Sequence, residues 1–162
     1  QARDFILKEL TVNSTGEGIR PDMSFQQHGP QQQFGNYGLS FATTQSYWAR
    51  VFMGTVYELS EEQLNIIHDY LTEGLQWTCW KGYMDIGSCG RQLVLNAQKI
   101  KARGYGTALR DIMVADAGRA KVYQHIFERD VEGILPENDL IGYRFFYILI
   151  MAYTVHPAGA SA

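Results

Sequence analysis

Apolar residues recur at threes and fours through two consecutive stretches, and a single capping signature separates them. Tyr37, Phe41, Trp48, Val51, Phe52 and Val56 make one stripe; Leu64, Ile67, Leu71, Leu75 and Thr78 make the next. Between them, Ser60-Glu61-Glu62-Gln63 puts a hydroxyl at a cap position and a Gln three residues on, so that side chain and backbone can satisfy each other's free groups. The spacing predicts helices over 36–57 and 61–80, packed antiparallel across a short turn. Phe5, Ile6 and Leu10 read as the tail of an earlier helix, stopped by Asn13-Ser14-Thr15-Gly16. A helix already under way at the first residue reads as a processed chain or an excerpt of something longer. Weaker helical patterns occupy 97–102, 107–116 and 119–130. A turn is expected at 136–139, and 141–155, rich in Tyr, Phe and Ile, reads as strand.

The balance of charge narrows the function classes. With 14 Lys and Arg against 17 Asp and Glu the net charge is −3, which argues against general nucleic-acid binding. The longest apolar run, 145–155, is interrupted by Thr154 and falls far short of the ~20 residues a membrane span needs. No nucleic-acid or membrane partner is therefore expected. Two cysteines, Cys79 and Cys89, cannot make a disulfide scaffold and lack the companions for a zinc site. A single bridge between them stays open. The histidines stand at no metal-ligand spacing, so no catalytic metal is expected. At 162 residues, 46% of them apolar, one packed domain is affordable.

Two irregular segments carry the chemistry. The first, 13–35, holds five Gln between positions 26 and 33 among Gly and Pro, with Phe25, His28 and Phe34 interspersed. A loop this long inside a compact domain is usually functional or disordered, and its aromatic content favours an ordered one. His28 sits in a Gly/Pro frame, and Tyr37 follows nine residues later at the entry to a helix. An imidazole that titrates near 6.5 and a phenol near 10 form a proton-transfer pair if brought together. The second segment, 81–96, carries Tyr83-Met84-Asp85 and Gly90-Arg91. An Arg on a glycine-flanked loop can grip a carboxylate with two hydrogen bonds. Each of these residues has a plainer role open to it. The His can be a hydrogen-bonded surface residue, the Tyr a core aromatic, the Arg a cap on helix carbonyls. Trp48 falls on the core stripe, whereas Trp80, at a helix end beside the second segment, is a sugar-stacking candidate. Lys99, Lys101 and Arg103 form a basic cluster that reads as a solvated face or an attractor of polyanions.

The run Pro21-Asp22-Met23-Ser24-Phe25-Gln26-Gln27-His28-Gly29-Pro30-Gln31-Gln32-Gln33, followed by Asn36-Tyr37-Gly38, resembles the catalytic His/Tyr segment of polysaccharide lyase family 8. That family includes chondroitin AC, hyaluronate and xanthan lyases. Lys81-Gly82-Tyr83-Met84-Asp85 and Gly90-Arg91 match in order and approximate distance, and Ile141-Gly142-Tyr143-Arg144-Phe145-Phe146 is similar to the family's passage into its β-sandwich. The resemblance implies a mainly α chain. Residues 1–140 would be the closing portion of an incomplete (α/α) toroid, and 141–162 the beginning of a β-sandwich domain. It also implies β-elimination at a uronic acid in a polysaccharide such as chondroitin or hyaluronan, without a cofactor. By the same resemblance Tyr37 would take the C5 proton, His28 would assist it, and Arg91 would hold the acidic substrate. Gln27, Trp80 and Asn96 complete the expected substrate-binding set. A secreted or periplasmic monomer acting on an acidic polysaccharide is the implied setting.

The chain also departs from the family pattern. The carboxylate-neutralising Asn belongs upstream of residue 1, and the supporting Glu beyond the last residue. Leu95 stands where a second Arg is usual, with Asn96 beside it. Residues 147–162 fit the pattern poorly. Two other classes of function therefore remain in play: a carbohydrate-binding relative without catalysis, and a helical interaction module.

Overall fold

The computed structural model describes residues 2–134, 140–146 and, by their backbone, 151–155. The turn expected at 136–139 and most of 147–162 lie outside the described residues. Among the described residues five α-helices dominate: α1 (Ala2–Lys8), α2 (Leu39–Phe52), α3 (Glu61–Asp69), α4 (Ala97–Ala115) and α5 (Ala120–Ile126). The chain is mainly α, as the sequence predicts. Three small antiparallel sheets interrupt the helices. They are β1 (Gly18–Ile19), β2 (Phe25–Gln27) and β3 (Gln31–Gln32); β4 (Cys79–Trp80) and β5 (Tyr83–Met84); and β6 (Gly142–Phe146) with β7 (Met151–Val155).

The capping box forms as its residues imply. The Gln63 N–H donates to Ser60 Oγ at 3.3 Å, and the Ser60 N–H donates to Gln63 Oε1 at 3.0 Å. Ile67, Leu71, Leu75 and Thr78 are buried on the expected face. The winding is not uniform, however. Regular helix ends at Asp69, widens to a π turn over Tyr70–Gly74, tightens to 3₁₀ over Leu75–Thr78 and passes into β4. The wide turn sits where the Gly74 Cα lies hard against the Met23 carbonyl oxygen, leaving no room for a Cβ.

Helix α2 differs from expectation in its end, its buried face and its main partner. It stops at Phe52, and Gly54 turns the chain at φ +70°. Its buried face is Leu39, Ala42, Gln45, Ser46 and Ala49. Val51 is exposed and Val56 is 90% exposed, while Phe41, Trp48 and Phe52 are half-buried. The reason is steric. Helix α2 packs most extensively along α4, and close approach selects small residues at the seam, with the large ones displaced to its flanks. An Arg50–Asp111 ion pair at 2.8 Å ties the two helices at the rim.

Helix α4 corrects a second expectation. The segments 97–102 and 107–116 are one continuous helix of 19 residues. Gly104 and Gly106, between and at the edge of the two expected segments, are contact points. A Cβ on Gly104 would meet Leu39 Cδ2 at 3.0 Å, and one on Gly106 would meet Phe127 and Val131 at 2.9 and 3.0 Å. The weaker helix at 119–130 divides into α5 and a π-wound turn over Phe127–Glu132. Its end is fixed by a buried pair: Arg129 Nε and Nη2 donate to Asp130 at 2.7 and 2.9 Å, and Nη2 also to Gln76 Oε1 at 2.8 Å.

The C-terminal segment is a hairpin, not one strand, with Gly142 opposite Val155 and Phe146 opposite Met151. Phe146 is buried against Phe34, ring centroids 4.9 Å apart. Among the described residues no helix is long and apolar enough to cross a membrane. Cys79 and Cys89 are free and buried, and burial pushes both thiols up.

Gly106→Ala tests the packing reading directly. Alanine should gain up to about 1 kcal/mol of helix propensity, but overpacking against Phe127 and Val131 costs about 1–3 kcal/mol. A lower denaturation midpoint is expected in chemical unfolding. A raised midpoint would show that the seam has slack.

Candidate active site

The long polar segment is ordered as a three-stranded ribbon. Gln26 pairs with Gln32, and Gln27 with Gln31, which leaves His28-Gly29-Pro30 as the hairpin loop. His28 adopts φ +58° and Gly29 φ +82°. A non-glycine residue in this region is uncommon, and it persists where surrounding contacts hold it. Here the His28 N–H donates to Glu17 Oε1 at 2.7 Å, and the Gln27 side-chain amide donates to the other oxygen of the same carboxylate.

Tyr37 lies in a π-wound turn over Phe34–Gly38 that leads into α2. Phe34 anchors this turn, fully buried and stacked on Tyr70 with planes 8° apart. Gly38 ends it, its Cα facing the Tyr70 hydroxyl too closely for a Cβ. The anchored turn carries the phenol to His28. His28 Nε2 lies 3.0 Å from Tyr37 Oη, and the rings meet edge to face with centroids 5.0 Å apart.

The second segment reaches the same place by a different route. The β4–β5 hairpin turns through Lys81 and Gly82, both at positive φ, as a two-residue hairpin loop requires. A 3₁₀ turn over Ile86–Cys89 follows, capped by Asp85, whose carboxylate accepts from the Ser88 N–H at 3.2 Å. Gly90 then takes φ +57° and ψ −135°, and Arg91 emerges into solvent. Gly35 joins the two segments: a Cβ there would lie 2.8 Å from both Met84 Sδ and the Ser88 carbonyl oxygen.

His28, Gln31, Gln33, Asn36, Tyr37, Gly90 and Arg91 line one cavity of about 180 Å³. This is smaller than the ~300–1,000 Å³ of ordinary ligand pockets. His28, Tyr37 and Arg91 are all exposed, so the cavity opens outward. The lining carries no carboxylate and one fixed cation. Gln33 Oε1 is buried without a hydrogen-bond partner among the described residues, an acceptor turned toward this lining. An anionic group would find a guanidinium there, amide side chains beside it, and an imidazole–phenol pair within reach.

Of the expected site residues, the structure brings His28, Tyr37 and Arg91 to this cavity. No hydrogen bond joins Arg91 to Tyr37 among the described residues. Gln27 faces Glu17 instead. Trp80 is half-buried, with the Lys81 ammonium 5.5 Å above its ring. Asn96, at φ +62°, lines a separate groove with Tyr83, Leu93 and Lys99. Leu95 is 88% exposed. The basic cluster also divides: Lys99 and Arg103 line a groove with Lys81 and Tyr83, while Lys101 bonds Gln92. Gln31, Gln33 and Asn36 lie in the quoted motif, but nothing in their spacing marked them as cavity-lining. Among the described residues no cluster of three or more His, Cys, Asp or Glu could hold a metal ion.

A second His–Tyr contact shows what sets the first apart. His68 Nδ1 lies 3.0 Å from Tyr123 Oη, with ring centroids 5.5 Å apart. Tyr123, however, is 0% exposed where Tyr37 is 36% exposed. The Tyr123 hydroxyl donates to Asp116 Oδ2 at 2.6 Å, and burial pushes this phenol up. Tyr123 therefore ties helices together, whereas Tyr37 faces an open cavity.

The comparisons with known proteins agree with this architecture. The model for the N-terminal α-helical domain of polysaccharide lyase family 8 matches residues 1–128, and the chain belongs to that family. Chondroitinase-AC of Pedobacter heparinus is 35% identical over 91 residues, which is 54% of this chain and 13% of that protein. A chondroitinase AC lyase structure, from work on enzyme–oligosaccharide complexes, superposes with a TM-score of 0.75 at 24% identity, covering 88% of this chain and 21% of that one. A Paenibacillus xanthan lyase superposes at 0.67 and 15% identity, covering 89% and 17%. The chain thus spans about a fifth or less of each of these relatives.

The buried His–Tyr contact makes a pH prediction. Burial, reinforced by the Arg119 guanidinium, holds His68 below its ordinary value of 6.5. The unfolded chain then binds more protons than the folded one as pH falls below about 6.5, so stability drops in that direction. Asp130 slopes the opposite way. Burial pushes its carboxyl from 3.8 up to about 6, so its ionisation costs stability as pH rises through that range. Melting curves of the wild type and His68→Gln between about pH 5 and 7 separate the two. The gap between them should grow in the variant's favour on acidification, and a constant gap would refute the assignment.

Proposed function

We propose that this chain supplies the proton-transfer centre of a lyase that cleaves a uronic-acid-containing polysaccharide, a glycosaminoglycan such as chondroitin or hyaluronan, by β-elimination. The observation that carries the proposal is the 3.0 Å contact between His28 Nε2 and an exposed Tyr37 Oη, with Arg91 lining the same cavity. Family membership and the names of the relatives support the substrate class.

The steps are those that the family resemblance implies, placed on the residues of this cavity. His28 accepts the phenol proton, and Tyr37 as phenolate removes the proton from C5 of the uronate. The electron pair forms the C4–C5 double bond as the C4–O bond breaks, and Tyr37 or His28 returns a proton to the departing oxygen. Removing a proton beside a carboxylate accumulates negative charge, and the Arg91 guanidinium with the amides of Gln31 and Asn36 offsets it. The step uses no water and calls for no cofactor. In this reading residues 1–140 belong to the helical catalytic domain and 141–162 begin a β domain. A polymeric substrate fits a monomer acting in the periplasm or outside the cell.

A second reading has its own observation. Leu95, exposed where a second Arg is expected, suits a carbohydrate-binding relative without turnover. One assay separates the two. The complete polypeptide is incubated with chondroitin and with hyaluronan, and the ultraviolet absorbance of the conjugated unsaturated uronate is followed. The lyase reading expects product from the wild type and a loss of about 10²–10⁴-fold in Tyr37→Phe, with polymer binding held within a few-fold. Binding without product would favour the second reading, and full activity in Tyr37→Phe would remove Tyr37 from the mechanism.

A further inference from the structure

We infer that Glu17 is the positioning residue that sets the reactive orientation of His28, an inference that rests on the proton-transfer role proposed above. Glu17 lies just before β1, outside the last ladder pair, Gly18 opposite Gln26. Its side chain continues the pairing by other means. One carboxylate oxygen accepts the His28 N–H at 2.7 Å and the other accepts the Gln27 amide, so both reach across to the hairpin loop. Hydrogen bonds from N–H groups to a carboxylate are among the strong ones. Among the described residues Glu17 makes no ion pair, so its acceptors are committed to the loop. Asn13 fixes the other side, its amide donating to the Glu17 carbonyl at 3.1 Å. The result is a relay of placement from Asn13 through Glu17 and His28 to Tyr37.

The backbone shows why the loop needs this. At φ +58° His28 occupies a conformation that L residues rarely hold unaided. Its N–H, anchored by a charged acceptor, fixes the direction in which the ring leaves the chain. Three-residue loops have few other constraints, and Pro30 contributes no N–H of its own. Gln27 changes role accordingly: its side chain steadies the carboxylate and does not face the cavity. Glu17 and His28 are exposed, so these bonds add little to global stability. Their effect falls on where the imidazole points.

The test compares Glu17→Ala and Glu17→Gln with the wild type in the complete polypeptide, reading kcat and KM on whichever polymer the wild type cleaves, together with melting temperature. Glu17→Ala is expected to lower kcat about 100-fold, the scale of a small misplacement of a reacting group, with KM and melting temperature nearly unchanged. Glu17→Gln keeps an acceptor for the His28 N–H and should recover most of that loss. Unchanged kcat in Glu17→Ala overturns the inference, as does a loss of kcat that tracks a fall in melting temperature. A second readout does not depend on turnover: the His28 backbone amide, followed by NMR hydrogen exchange, should be protected in the wild type and in Glu17→Gln and lose protection in Glu17→Ala. If the wild type cleaves no polymer, the lyase reading fails while the exchange experiment still decides whether Glu17 holds the loop. Equal protection in all three proteins overturns it.

Discussion

The candidate site depends on one close approach of two backbones. Gly35 lies against Ser88 and Met84 with no space for a side chain, and this contact lets the turn bearing Tyr37 share a wall with the loop bearing Arg91. Neither segment has the regular structure to hold such a position by itself. The turn is pinned by Phe34 and by the tight fit of Gly38 beneath Tyr70. The loop is pinned by the Asp85 cap and the Gly90 conformation. Interiors are close-packed and transmit displacement, so spreading the Gly35 contact would move the guanidinium away from the phenol. A base and an anion-binding group work as a unit only when held at a fixed separation.

Some of this was legible in the sequence. The capping box at Ser60 and the buried face of Ile67, Leu71 and Leu75 are local patterns, and local physics decides them. The histidine and tyrosine are recognisable because their motif is specific, and the arginine by its order and distance from that motif. The structure adds their convergence. What failed to show was everything decided by distant neighbours. The helical patterns at 97–102 and 107–116 read as two because the contacts that Gly104 and Gly106 make with Leu39 and Phe127 are invisible without the partner. Spacing at threes and fours puts the apolar stripe of α2 on its large residues, yet the seam with α4 favours alanine and serine. Glu17 gave no signal, since its value comes from the register of a short ribbon and not from any spacing along the chain.

The two His–Tyr contacts make the same point about function. Their ring nitrogen–hydroxyl distances are equal, and both sets of rings meet edge to face. What separates them is surroundings. Tyr123 is enclosed and its hydroxyl is committed to Asp116, which Arg119 braces. Tyr37 stands at an opening with no acid to hold it. Pair geometry alone does not distinguish the two contacts, and access does.

The C-terminal hairpin leans on the same structure from beneath. Phe146 covers Phe34, and Arg144 reaches Glu73 at 3.1 Å and the Asp22 carbonyl at 3.4 Å. A cut through the chain ahead of β6 would therefore not be a clean severance. It would uncover Phe34 and remove the Arg144 contacts to Glu73 and the Asp22 carbonyl. The hairpin is thus also a keystone of the helical part it packs against.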